Sequence, residues 1–275
     1  MKRNIIYITL VAITVILATS CKRDISYVAS YQYPDNTGTA YLRIVHAAPY
    51  FRLLYNQPDS FNVYINNAKI NFQFLTFGSL FPATLTNGYA AIPAGLEQIR
   101  LSVNGIVNVD SLTIATFTKT LTAGNYYSFI LTDSLKSPNP AMQMFVQDAV
   151  PVVLPGYYNL RVINAAYEDS VTTTTGNDTL DVWSYARNGL VATKLVPGSI
   201  TSFSTLGTNI AVPDTFYVTR LPPAKPTGPA TPLANRIVLA KLAVTPISRN
   251  YTLLIKGDNS QTTGRTARGL ALYAQ

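Results

Sequence analysis

Apolar and polar residues alternate with a period of two in several short segments of the chain. In the segment at 42–49, Leu42 and Ile44 fall on one parity, and the segments at 61–67 and 180–188 alternate in the same way. This is the pattern of half-buried β-strands. Pairs typical of tight turns, such as Asn66-Asn67, separate these segments. Because no stretch has helical periodicity, the pattern predicts an all-β protein.

The strand-like segments occur twice, in the same order. LRIVHAAP returns as LRVINAAY, 118 residues later, and the third match aligns Asn125-Tyr126 with Asn250-Tyr251. The matched segments are 42–49 with 160–167, 61–67 with 180–188, 124–134 with 249–260, and 142–147 with 270–275. Repetition of four segments in one order indicates a duplicated module. The strand spacing predicts two tandem antiparallel β-sandwich domains, immunoglobulin-like or transthyretin-like.

The breaks between these segments predict the domain boundaries. We expect a signal peptide at 1–20, a lipidated cysteine and spacer at 21–40, a first sandwich at 41–150 and a second at 157–275. The join, AVPVVLPG, carries two prolines. Inside the second copy, residues 222–232 carry five prolines, which cannot join a strand ladder and therefore predict a surface loop.

The first twenty residues have the organisation of an export signal. Lys2 and Arg3 precede an apolar or hydroxyl run at 5–17, and small residues follow it. The run is shorter than the ~20 residues that a membrane-spanning helix needs. The rest of the protein is therefore expected to be exported.

Cys21 directly follows the small residues. The run Leu17-Ala18-Thr19-Ser20-Cys21 resembles the lipobox of bacterial lipoproteins in the looser form found in the Bacteroidetes, with Leu17 one position early. That resemblance implies acylation of Cys21, and two or more acyl chains give stable membrane attachment. The alternative is a free thiol after an ordinary cleavage site. Lys22 stands where inner-membrane retention signals have Asp, so we expect anchoring in the outer membrane, with the periplasmic face or the cell surface left open.

Composition excludes several classes of site. The 275 residues include one Cys and one His, too few for a disulfide or a zinc cage, and no phosphate-binding loop or HExxH motif is present. The formal charge is +8, and removing Lys2 and Arg3 leaves 8 − 2 = +6. Because the basic residues are spread singly, we predict no nucleic-acid partner. We also predict no cofactor and no metal.

A few residues are candidates for chemistry or binding. His46 matches Asn164 of the second copy, which favours hydrogen bonding at a strand end over catalysis. The candidate carbohydrate platform is formed by Tyr64, Trp183 and Tyr185, predicted to point outward; the alternative is packing within the fold. The matched polar pairs, Arg43 with Arg161 and Asn62 with Asp181, are expected on the outer face of a sheet.

Four short triplets of Asp, Ser or Thr and an aliphatic residue resemble the sites at which Bacteroidetes O-glycosylate exported proteins. Their hydroxyl residues are Ser111, Ser134, Ser170 and Thr179.

The first copy contains five short motifs: Val45-His46-Ala47-Ala48-Pro49, Phe61-Asn62-Val63-Tyr64, Phe77-Gly78-Ser79, Ile92-Pro93-Ala94-Gly95 and Ala123-Gly124-Asn125-Tyr126-Tyr127. Together these motifs resemble the domain of unknown function 4397. The second copy departs more, with Asn164 in place of the His and Tyr167 in place of the Pro. The resemblance extends over nearly all of 41–275. It implies an extracytoplasmic sandwich domain, often in tandem, with no assigned activity.

Together these patterns predict a non-enzymatic, lipid-anchored envelope protein with a structural or binding role. Its expected partners are the membrane, through the anchor, and glycans or other envelope proteins. A carbohydrate-binding accessory or adhesin-like module is the alternative. A glycan hydrolase is the third alternative, because no two carboxylates in the sequence have a spacing that indicates a catalytic pair.

Overall fold

The protein is described from a computed structural model. The structure describes residues 36–49, 60–71, 73–83, 88–103, 113–132, 143–166, 179–207, 213–221, 232–258, 263–264 and 267–275. The chain divides into two compact units, Met1–Asn36 and Thr37–Gln275, and the strands that the structure describes lie in the second. Among the described residues, no helix is long and apolar enough to cross a membrane.

The described residues in the first half of this second unit form ten strands. They are β1 (Thr39–His46), β2 (Ser60–Ile65), β3 (Ala68–Lys69), β4 (Leu75–Thr76), β5 (Leu80–Phe81), β6 (Ala90–Pro93), β7 (Gly95–Ser102), β8 (Thr113–Leu121), β9 (Tyr126–Leu131) and β10 (Met144–Gln147). Asn66 and Asn67 both have positive φ values, as the two central residues of a type I′ turn require. The predicted turn therefore joins β2 to β3.

In the second half the part of the chain that the structure describes forms eight strands. They are β11 (Tyr157–Asn164), β12 (Leu180–Ser184), β13 (Gly189–Leu195), β14 (Ser204–Gly207), β15 (Asp214–Arg220), β16 (Ile237–Val244), β17 (Asn250–Lys256) and β18 (Gly269–Ala274). Two short 3₁₀ turns, Asn36–Gly38 and Leu233–Asn235, precede β1 and β16. The described residues contain no α-helix, which confirms the prediction of an all-β protein.

These described strands form four sheets, two in each half. In the first half an inner sheet, β10-β9-β1-β5 with β6 also paired to β1, lies against an outer sheet, β3-β2-β7-β8 with β4 paired to β2. In the second half the inner sheet is β14-β11-β17-β18 and the outer sheet is β13-β12-β15-β16. "Inner" denotes the sheet of each half that faces the other half. This arrangement agrees with the predicted β-sandwiches.

Each inner sheet is mixed, whereas antiparallel sheets were expected. β1 pairs in parallel with β9, and β11 pairs in parallel with β17. Parallel neighbours need a long crossover connection, and here the outer-sheet strands supply it. Alternation reveals strands but does not reveal their relative direction.

The pairing register corrects the alignment of the two halves. Tyr127 lies beside Leu42, and Tyr251 lies beside Leu160. Tyr127 therefore corresponds to Tyr251, so matching Asn125-Tyr126 with Asn250-Tyr251 was wrong by one residue. The shared Asn-Tyr letters caused the error.

Each sandwich has its own apolar core. Leu42 and Ile44 of β1 point into the first core, and Leu160 and Val162 of β11 point into the second. A third cluster joins the inner sheets of both halves. Its buried members are Val45, Ala47, Ile130, Met144, Ile163, Ala165, Leu254 and Tyr273. β1 and β11 are thus buried on both faces.

Candidate functional site

The third core cluster surrounds a group of buried charges between the two inner sheets. Arg43 of β1 and Arg161 of β11 are only 1% and 3% exposed. Because side chains alternate along a strand, both arginines point away from their own cores. The face opposite each core is covered by the other inner sheet, so both guanidinium groups enter the same interface. The expectation that they lie on an outer sheet face was therefore wrong.

Asp148, the residue after β10, is the buried counter-charge. Its Oδ1 forms an ion pair with Nη2 of Arg161, and its Oδ2 lies 4.0 Å from Nη2 of Arg43. Ser128 donates its hydroxyl to Oδ2 at 2.6 Å, and Tyr89 donates to the same oxygen at 2.7 Å. One carboxylate thus binds groups from both halves.

Gln275, the residue after β18, completes the cluster from the second half. Its amide is oriented by its surroundings, since three donors face its oxygen. That oxygen accepts hydrogen bonds from Arg43 Nη2 at 2.7 Å, Arg161 Nη2 at 2.9 Å and Thr252 Oγ1 at 2.6 Å. Each arginine also binds a hydroxyl of its own half: Arg43 Nη2 donates to Ser128 Oγ at 3.0 Å, and Arg161 Nε donates to Thr252 Oγ1 at 2.9 Å.

The cluster contains two cations and one anion, and aromatic rings lie against the excess positive charge. Arg43 lies 4.7 Å from the ring centre of Tyr89 and 5.9 Å from that of Tyr273, and Arg161 lies 5.1 Å from that of Phe203. Such contacts stabilise a desolvated cation. Burial lowers the pKa of Arg43, although Tyr89 and Asp148 oppose that shift. Burial also raises the pKa of Tyr273 to about 12.

Further contacts extend the interface to the end of β1. The Lys256 ammonium lies 4.6 Å from the ring centre of Phe77, and the Tyr273 hydroxyl donates to the Gly78 carbonyl at 3.5 Å. Burial lowers the pKa of Lys256. The charged and polar side chains of the interface bind one another. Their main effect is to hold the two halves together.

His46 and Asn164 occupy matching places at the ends of β1 and β11. The backbone N–H of Gly78 donates to the His46 carbonyl at 2.7 Å, and that of Gly198 donates to the Asn164 carbonyl at 2.8 Å. Both side chains are fully buried. The Asn164 side chain donates to the Leu195 carbonyl at 3.2 Å. In the second half this side chain therefore stabilises the turn that follows β13.

Comparison with known families bears on the first half of the chain. Residues 40–174 match the family model described as Domain of unknown function (DUF4397). The match covers the first sandwich, the join and β11. No curated protein matches the chain.

The five motifs that carry the DUF4397 resemblance lie in the first sandwich, at structurally demanding points. Gly78 and Gly95 both have positive φ values, which glycine adopts without steric cost. Phe61 and Val63 are fully buried in the core. These motif residues therefore serve the fold.

The three candidate platform residues do not form one aromatic surface. Trp183 is 5% exposed, whereas Tyr185 is 63% exposed and lies in the turn after β12. Tyr64 belongs to the outer sheet of the other half, and Arg100 covers its ring at 4.0 Å from the centre. Of the three rings, the structure leaves only that of Tyr185 open.

The second matched polar pair, Asn62 with Asp181, is also buried, at 3% and 7% exposure. Asp181 forms an ion pair of 2.7 Å with Arg236. Both side chains alternate with core residues of their strands, so they lie on the sheet face away from the core, as expected. That face is nevertheless buried at these two positions.

Several candidates lie outside the described residues. They are Cys21, Ser111, Ser134 and Ser170. Thr179, just before β12, is described and half-buried. Within the described ranges, no group of three His, Cys, Asp or Glu side chains is placed to hold a metal ion.

Charge is distributed asymmetrically between the interior and the surface of the described part. Its five acidic residues are all buried: Glu97, Asp148, Asp181, Asp214 and Asp258. Its ten exposed or half-exposed charged residues are all basic: Lys69, Arg100, Lys119, Arg187, Lys194, Arg220, Lys241, Arg249, Lys256 and Arg268. Sequence patterns did not indicate this separation, because charges of both signs are interspersed along the chain.

Proposed function

We propose that the protein is a non-enzymatic, lipid-anchored envelope protein built from two DUF4397-type sandwiches. Its role is structural or binding, and its anchor places it in the outer membrane of a Gram-negative, Bacteroidetes-type cell. The charged cluster around Asp148 carries the proposal. In this cluster the charged side chains of both inner sheets bind one another and so hold the two sandwiches together.

The use of the described carboxylates supports a role without catalysis. Glu97 accepts a hydrogen bond from Asn66 at 2.6 Å, Asp181 pairs with Arg236, and Asp214 accepts from Ser184 at 2.6 Å. Each of these contacts joins strands or turns of one sheet. A carboxylate that is buried and bonded in this way stabilises structure.

The anchor is tested by replacing Cys21 with Ser and fractionating the cells. We expect the parent protein in the membrane fraction, with lipid mass on the mature amino terminus, and the C21S protein in the soluble fraction. Ser20→Ala, which keeps the cysteine and a small residue before it, is the matched control and should remain in the membrane. Equal membrane retention of C21S and parent, together with an unmodified Cys21, would show that the anchor proposal is wrong.

Carbohydrate binding is a second candidate because Tyr185 presents an open ring next to the exposed Ala186 and Arg187. An exposed aromatic ring beside a hydrogen-bond donor is a common sugar-binding arrangement. A glycan array with the soluble C21S protein, repeated with Tyr185→Ala, tests this candidate. Binding that Tyr185→Ala abolishes would assign the site, and the absence of glycan binding by the parent would remove the candidate.

A further inference from the structure

The segment that joins the two sandwiches exposes a row of apolar side chains. Val150, Val152 and Leu154 are 38%, 86% and 57% exposed, while Pro151 and Val153 between them are half-buried. This alternation shows that one side of an extended segment faces away from the protein. In a water-soluble surface that row would normally be polar. An exposed apolar row of this kind indicates a contact surface.

The row lies at one definable end of the second unit. Asn250 donates to the Pro151 carbonyl at 2.9 Å, and Asn159 donates to the Val152 carbonyl at 3.3 Å; these asparagines form the first residue pair of the parallel strands β11 and β17. The Asp148 N–H donates to the carbonyl of Tyr126, the first residue of β9. Three residues span at most about 10 Å. Both parallel pairs therefore begin at this same end.

Other apolar side chains extend the row into a patch. Tyr157, the first residue of β11, is 45% exposed, and Ile247, just before β17, is 48% exposed. We call Val150, Val152, Leu154, Tyr157 and Ile247 the apolar end. Two charged residues lie two positions from it along the chain: Arg249, which is exposed, and Asp148, which is buried. The sequence between Asp148 and Arg161 carries no charge.

Two further observations indicate what covers the apolar end. β1 also begins here, so the chain from Cys21 joins the unit at this end, and the 39 − 21 = 18 residues between them span at most about 60 Å. In addition, every exposed charge on the described surface is basic. A basic surface is attracted to anionic lipid headgroups, and apolar side chains insert between them.

We infer that the apolar end docks onto the surface of a bilayer containing anionic phospholipid. The inference rests on the proposed function, in which Cys21 is the lipid anchor. Tethering keeps the apolar end close to the membrane, so that even a weak contact is occupied. The docked protein presents its two outer sheets sideways and the far ends of its strands to the medium.

The experiment places an environment-sensitive fluorophore in the apolar end. Cys21 is the only cysteine, so in the C21S background Val152→Cys offers a single labelling site, and in the lipidated protein it offers the only free thiol. Val238→Cys is the matched control, because Val238 is 45% exposed and lies on β16, six residues or about 20 Å before the end of that strand. Both labelled proteins are mixed with, or reconstituted into, phosphatidylethanolamine and phosphatidylglycerol vesicles that carry a spin-labelled quencher lipid.

In the lipidated protein we expect the Val152→Cys label to shift to shorter wavelength and to be quenched, while the Val238→Cys label keeps its aqueous emission. In the C21S background we expect weak, salt-sensitive sedimentation with the vesicles, made about tenfold weaker by the double substitution V152D/L154D, a change equivalent to about 1.4 kcal/mol. A lipidated protein whose two labels behave alike would overturn the inference but leave the anchor standing. An unmodified Cys21 in the parent protein, together with sedimentation of the C21S protein that V152D/L154D weakens, would keep the apolar end and correct the anchor. A Val152→Cys label that is already shielded without vesicles, in a dimeric protein, would assign the surface to a second copy and also overturn the inference.

Discussion

Asp148 and Gln275 occupy the same position in the two halves of the protein. Each follows the last strand of its inner sheet, and each backbone N–H donates to the carbonyl of the first residue of the neighbouring strand, Tyr126 at 2.7 Å and Asn250 at 2.8 Å. The two side chains meet the same pair of arginines. The interface therefore has near two-fold symmetry, with a carboxylate on one side and an amide on the other.

This symmetry predicts that the carboxylate can move to the other side. Asp148→Asn should lower the free energy of unfolding by about 3 to 5 kcal/mol, because it leaves two buried guanidinium groups without a counter-charge. Gln275→Glu added to that variant should restore more than half of the loss, since the amide oxygen already contacts both arginines. Urea denaturation of the two single variants and the double variant measures the coupling.

The single variant Q275E is the control for this cycle, and it should be as stable as the parent or more stable. If the double variant is no more stable than Asp148→Asn alone, the two positions are not equivalent and the symmetry of the interface is contradicted.

Buried tyrosines predict a loss of stability in alkali. Burial raises the pKa of Tyr273 from 10.0 to about 12, and it also raises the pKa of Tyr89 and of Tyr158. Between the unfolded and folded pKa values the unfolded chain has lost protons that the folded chain keeps. The free energy of unfolding is therefore unaffected below pH 10 and falls as pH rises from 10 to 12.

Urea denaturation at pH 9, 10 and 11 measures this slope. Tyr273→Phe should reduce it by up to about 1.4 kcal/mol per pH unit, one proton's worth. The parent protein, measured at the same three pH values, is the reference. An unchanged slope in the Tyr273 variant would mean that this hydroxyl reaches solvent.

Tyr127 and Tyr251 brace matching turns. The Tyr127 hydroxyl accepts from the Thr122 N–H at 3.0 Å, and the Tyr251 hydroxyl accepts from the Ile247 N–H at 3.1 Å. Replacing either by Phe should cost about 1 kcal/mol, the usual value of such a hydrogen bond. Thermal unfolding of both variants beside Tyr157→Phe checks this, and a cost in only one half would show that the two turns differ in strength.

Replacing Trp183 and replacing Tyr185 are expected to change the stability of the protein by very different amounts. Trp183→Ala should cost about 3 to 5 kcal/mol, as expected for a buried aromatic side chain, whereas Tyr185→Ala should change stability by less than about 0.5 kcal/mol. Denaturation curves separate the two. If the Trp183→Ala protein is as stable as the parent, the indole is not structural and Trp183 is again a candidate binding residue.

His46 is expected to tolerate its counterpart only in part. His46→Asn keeps a polar side chain at the strand end but removes ring contacts with Phe61 and Phe77, whose centres lie 4.7 and 5.9 Å away. We expect a loss of about 1 to 2 kcal/mol. The reciprocal Asn164→His should cost more, because a larger ring must enter a fully buried site. A smaller cost for the reciprocal change would contradict the close packing around Asn164.

The period-two pattern was sufficient to predict an all-β fold, because alternation is a local property of each strand. It also placed Arg43 correctly on the opposite face from Leu42 and Ile44. It could not show that the opposite face meets another sheet, since that contact joins residues more than a hundred positions apart. One signal was present: Val45 and Ala47 are apolar on the same parity as Arg43, which is typical of a strand buried on both sides.

The charged cluster depends on a strand register that matching identical residues in the sequence did not reveal. Matching 142–147 with 270–275 paired Gln147 with Gln275, whereas the strand pairing places Ala274 opposite Tyr251 and Gln147 opposite Tyr127. The true counterpart of Gln275 is therefore Asp148. A one-residue shift in a strand exchanges its two faces, so the symmetric cluster could not be found by aligning identical letters.

The parallel pairing of β1 with β9 and of β11 with β17 also constrains the order of events during folding. Arg43 meets Ser128 across 85 residues, and neither arginine has all its acceptors until the residue after β18 is in place. Contacts of such long sequence separation form slowly. The two sandwiches can therefore assemble one after the other as the chain emerges, but their union is a late step that waits for the whole chain.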